Sequence, residues 1–321
     1  MKSNRPEAHA FLDQVRLKRG NESLVQSFRN TLKANKRQAI DYLNDKNIRF
    51  PSVYVLREVI SKEKLTNELA NRSRLALEFI NNEHGHIHGW VQTLHPPLLW
   101  MIQSGGQEYV DPPYLKKMDG AAGLLTVVYG DRSVLPAFAS MLFFRCRNHL
   151  PYHDLVWAFL EAREPLSLSL IADRLRSDDH KESDCARRML SFIPGIDRKT
   201  DNKGDEQYRR FCKWVENNGH FLYYKGETFD TTHHPNPYVT VRQAKYLGVF
   251  VSNYDGKPYA ALSNKESRLW KQLSRLNAEE QEILADYSAK LRGKDQQLWK
   301  KWLSQSMRKQ MQEARGGWQY D

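Results

Sequence analysis

The sequence predicts a mainly α-helical fold, an irregular bundle or a set of stacked helix pairs, with a small α+β insert near residues 205–262. Three observations predict it. Apolar residues recur at helical spacing through most of the 321 residues. Between Pro112 and Pro194, short apolar runs alternate with polar or proline-bearing turns. Strand signals are confined to the stretch between Phe221 and Leu262.

Taken in order, Phe11, Leu12, Val15 and Leu17 supply an apolar face that Gly20 closes. Leu24, Phe28 and Leu32 then form a stripe at i, i+4, i+8, with Ala39, Ile40 and Leu43 beyond it. Pro51 opens a helix containing Val55, Leu56, Val59 and Ile60, and the pattern runs on to about Asn82. From His84 to Gly106, Gly and Pro punctuate the chain, which predicts a loop with one short helix from Pro97 to Ile102.

In the central block, the runs Tyr114–Tyr129, Leu135–Arg145, His153–Ala162, Leu166–Leu175 and Ser183–Phe192 are joined by short turns, the signature of antiparallel helix pairs. The pair Leu168–Arg176 and Ser183–Phe192 resembles a HEAT-like unit in length and polarity, without a strict sequence repeat. Beyond a charged turn at 196–204, a helix over Asp205–Asn217 precedes two expected hairpins, Phe221–Tyr224 with Thr228–Asp230 and Val249–Ser252 with Tyr259–Leu262. Ser263 with Glu266 and Asn277 with Glu280 start two C-terminal helices, and a third runs from about Asp295 to Gly316. The segments read as 1–82, 83–196, 205–262 and 263–321.

Apolar residues make up 40% and charged residues 27%, a mixture that folds rather than one that stays disordered. No run of eighteen apolar residues exists, so no membrane span is expected. The first ten residues lack the apolar core of a signal peptide, and three scattered cysteines do not read as a disulfide framework. A cytoplasmic protein is the expectation.

Net charge is +11, unevenly spread. Residues 1–75 carry 16 Lys and Arg against 8 Asp and Glu, residues 263–321 carry 12 against 8, and the centre is close to neutral. Basic ends of this kind attract phosphate, acidic protein faces or anionic lipid. Arg16, Lys18 and Arg19 cluster at one helix end, and Lys33, Lys36 and Arg37 lie within five residues on the next helix. Ser52, Tyr54 and Arg57 would face a groove if residues 37–60 formed a helix-turn-helix, although the connection is longer than that motif's three or four residues. Lys300 and Lys301 beside Trp302 form a second basic set.

His84, His86 and His88 alternate and would converge on one face of an extended segment, where they could bind a metal such as zinc. No phosphate-binding glycine loop, nucleophile elbow, His-Glu-x-x-His or Cys-x-x-Cys occurs, so no catalytic residue is nominated. No cofactor is indicated beyond zinc at that cluster, and no small-molecule substrate. The expected function is a non-enzymatic interaction or scaffold protein whose basic terminal helices dock a protein or nucleic-acid partner. The alternatives are a nucleic-acid-binding regulator using residues 16–57 and a metal-dependent enzyme centred on His84, His86 and His88.

Overall fold

A computed structural model describes residues 10–81, 91–196, 204–227 and 236–316. They are mainly helical, with one small two-stranded antiparallel sheet. The chain divides into two compact units, Met1–Ala162 and Arg163–Asp321.

The first unit holds α1 (Phe11–Arg19), α2 (Asn21–Ala34), α3 (Lys36–Leu43), α4 (Phe50–Lys62), α5 (Asn71–Asn81), α6 (Val91–Gly105), α7 (Pro112–Gly123), α8 (Leu135–Arg147) and α9 (His153–Glu161). The α2 stripe forms as its spacing dictates, with Leu24 and Phe28 fully buried. Asn35 caps α3 by accepting from the Gln38 N–H, and Asp111 caps α7 by accepting from that of Tyr114. The core is aromatic at its centre. Phe50 stacks on Tyr114 at 5.8 Å between ring centroids, and Tyr54 meets the same ring edge-on at 4.9 Å.

Of the stretch expected to be mostly loop, the described part is a fifteen-residue helix, α6. Pro96 and Pro97 sit inside it, so two backbone bonds of its second turn are missing. Burial of Leu94, Leu98, Met101 and Ile102 outweighs that loss.

The second unit holds α10 (Leu168–Ala172), α11 (His180–Met189), α12 (Gly204–Asn218), β1 (Leu222–Tyr224), β2 (Tyr238–Thr240), α13 (Arg242–Leu247), α14 (Asn264–Leu273), α15 (Ala278–Lys294), α16 (Gln296–Leu303) and α17 (Met307–Gly316). The capping box at Ser263 and Glu266 forms in full, and Asn277 caps α15. The helix expected from Asp295 to Gly316 is two helices, broken after Leu303. β1 pairs with Tyr238–Thr240, with Tyr223 opposite Val239. Thr228–Asp230, its expected partner, lies outside the described residues. The second expected hairpin reduces to a single bridge between Val251 and Pro258. No helix among the described residues is long and apolar enough to cross a membrane.

Candidate functional site

Of the nominated basic residues, the structure brings Lys33 and Lys36 together and adds two others. Lys33 and Arg29 stand on α2, Lys36 opens α3, and Lys62 ends α4. With Leu32, Val59, Leu65 and Glu63 they line a groove of about 550 Å³. Arg29 and Lys33 fall at i, i+4 on one face of α2, and Lys36 follows at the first position of α3, across the extended Asn35. Lys62 joins them because α4 packs along α2.

The end of α4 shapes the groove floor. Lys64 takes the left-handed conformation at φ 54°. Its N–H donates to the Ser61 carbonyl, and the Leu65 N–H reaches back to that of Ile60 at 2.9 Å. This reversal drives Leu65 inward, where it is buried beside Val59. The groove therefore has an apolar floor under a cationic rim. Its counter-charges are Glu63 and, bonded to Lys36 at 2.8 Å, Glu68. That pair is exposed on both sides and screened by water, so it neutralises little of the rim's field.

The remaining nominations divide sharply. Lys18, Arg19 and Arg37 are exposed but do not line the groove. Arg16 is not a surface cation: it is 7% exposed, and its guanidinium meets Glu108 Oε2 at 2.5 Å. Glu108 also binds Arg49 at 2.6 Å. Arg16 Nε donates to Ser52 Oγ at 3.0 Å, and Ser52 Oγ donates to Asp13 Oδ1 at 2.5 Å. The Asp13 carboxylate accepts in addition from the Arg49 backbone N–H. Burial pushes the Asp13 carboxyl above its ordinary range, against the pull of Ser52, the Arg49 N–H and the two arginines.

Ser52 and Tyr54 are fully or nearly fully buried, and Arg57 lies over the Tyr54 ring at 4.0 Å. The Tyr54 hydroxyl donates to Asp111 at 2.9 Å, and burial pushes its pKa well above the usual tyrosine value. The helix-turn-helix expectation for these residues is therefore corrected. A reading helix must stand proud of its domain, whereas Phe50–Tyr54, Leu56, Val59 and Ile60 of α4 all face the core.

At the other end of the chain, Lys300 and Lys301 are exposed on α16, but Trp302 is 2% exposed. Its ring packs against Tyr246 at 5.7 Å and Tyr287 at 5.3 Å, so it anchors the second unit's core rather than a docking face. His84, His86 and His88 lie outside the described residues. Among the described residues no three His, Cys, Asp or Glu side chains gather as a metal site.

Sequence patterning locates Lys33 and Lys36 but passes over Arg29 and Lys62. The α2 spacing carried a signal for Arg29. Lys62 had none, because a contact across 29 residues of chain is set by packing and not by local order. Fold and groove together define the class: a helical protein with a cation-rimmed, apolar-floored groove. Compared with known protein families, curated proteins and solved structures, the chain matches none.

Proposed function

We propose that this chain is a non-enzymatic interaction protein that docks an acidic, amphipathic protein segment in the groove between α2 and α4. The observation that carries the reading is the lining itself: Arg29, Lys33, Lys36 and Lys62 above Leu32, Val59 and Leu65. An acidic amphipathic helix offers carboxylates to such a rim and apolar side chains to such a floor. A phosphate backbone offers only charge, and the groove lining includes no aromatic ring on which an unpaired base would stack. Nucleic acid is the rival reading, carried by charge alone.

The test is fluorescence anisotropy with a labelled Glu/Leu amphipathic peptide, competed by unlabelled duplex DNA. Saturable binding is expected, weakening about ten-fold as salt rises from about 0.05 to about 0.5 M. Lys33→Glu with Lys62→Glu abolishes it. Displacement of the peptide by duplex at equal or lower concentration would transfer the groove to nucleic acid, and peptide binding unchanged in the double variant would refute the site.

A further inference from the structure

The second unit contains a larger cleft, about 720 Å³, between α12, α13 and α15. We propose that it binds a small ring-bearing phosphate, a mononucleotide in chemical class. The volume falls in the range of sites that enclose small ligands.

The α12 wall follows from helical spacing. Arg210, Lys213, Trp214 and Asn217 fall at i, i+3, i+4, i+7 and all line the cleft. One turn, about 5.4 Å along the axis, separates the Arg210 guanidinium's attachment point from that of the indole, the scale of one sugar. The Trp214 ring is held edge-to-face by Phe192 at 5.9 Å, which fixes its plane as a platform for a flat ring. Lys290 of α15 adds a further cation to the lining, where Asp286 is the one acid and Glu206, outside the lining, pairs with Arg210, so the surplus rests on Lys213 and Lys290. Such a surplus of positive charge selects an anion.

The polar floor is built, not incidental. Lys245 is 6% exposed, on the six-residue α13. Its ammonium donates to Asn218 Oδ1 at 2.8 Å and to the Asp286 carboxylate. Taking an ammonium out of water costs several kcal/mol unless its protons are matched, and two acceptors from two other helices match it here. The pair in turn fixes the Asp286 carboxylate, which is 38% exposed and lines the cleft. Held there, it accepts from a ligand's hydroxyl or ring N–H. A second lobe of about 390 Å³ shares Trp214, Asn218, Lys245 and Asp286 and extends toward Thr240 and Arg242, giving room for a larger ring. One cleft is thus lined by a ring, a fixed acceptor and cations, the groups that would meet a base, a sugar and a phosphate.

Isothermal titration of the full chain with AMP, GMP, UMP, adenosine and inorganic phosphate tests this. At least one monophosphate binds with 1:1 stoichiometry below about 1 mM, while adenosine and inorganic phosphate bind about ten-fold more weakly or not at all. Trp214→Ala and Lys213→Glu each weaken that monophosphate about ten-fold, a loss of about 1.4 kcal/mol, and the exposed Lys213→Glu does so with the thermal midpoint unchanged. Absence of heat with all three monophosphates, phosphate binding as tightly as they do, or binding untouched by both variants would each overturn the proposal.

Discussion

Arg16 shows what a single residue's type conceals. Next to Lys18 and Arg19 it reads as part of an exposed cluster, yet it closes a buried network with Asp13, Ser52, Arg49 and Glu108. Its partners lie 36 and 92 positions away, so no local pattern announces them. Glu108 balances two arginines, and Glu108→Gln would leave both with Asp13 alone as a nearby counter-charge. The expected loss is about 3–5 kcal/mol, measured as a fall in the urea midpoint. A second residue-scale prediction concerns Asp119, whose Oδ1 meets the fully buried Arg145 at 2.7 Å. Burial pushes its carboxyl up to about 6 from 3.8, in spite of Arg145. The folded state therefore holds this proton more tightly than the unfolded state. Its contribution to stability is complete below about pH 4 and is lost as pH rises through 6. Denaturant titrations across that window should differ between the parent and Asp119→Asn by a slope worth roughly 3 kcal/mol; parallel curves would contradict the assignment.

Elements were legible where their signals are local. The caps at Ser263 and Asn277 are each written within four residues, and each forms. Where a helix depends on distant burial, the pattern fails: α6 carries two prolines and folds because its apolar residues find the core. Strand pairing is equally non-local, and β1 takes a partner fourteen residues beyond its end. Two helix ends of one type give a paired prediction. α13 and α4 both finish with a left-handed residue whose next N–H reaches back five residues, Gly248 in one and Lys64 in the other. At Gly248 a Cβ would come within 2.2 Å of Arg292 Nη1, the group that donates to the Lys245 carbonyl. Gly248→Ala is expected to cost at least about 1–2 kcal/mol from backbone strain alone. Lys64→Gly removes the same strain and should raise stability by about 0.5–1 kcal/mol. Thermal melts of the two variants should move in opposite directions.

For the whole molecule, apolar periodicity predicted the helical class and charge counting the basic ends, because both are sums over many residues that survive local errors. The use of the charge was less legible. Some of the nominated side chains turned inward, and the residues that make the groove came together only when α4 lay along α2. Arg16, Ser52, Tyr54 and Trp302 were drawn into the cores by pairing and aromatic packing, while Lys33 and Lys36 kept the surface with Arg29 and Lys62. The two units each carry a cation-lined recess, one with an apolar floor and one with a ring and a fixed carboxylate. The central claim is that the first of these recognises an acidic partner by opposite charge, and a charge swap tests it most directly. Lys33→Glu with Lys62→Glu should lose the Glu/Leu peptide and gain a Lys/Leu peptide of the same pattern, restoring at least about a tenth of the original affinity. A double variant that still binds the acidic peptide, or one that binds neither while remaining folded, would contradict it.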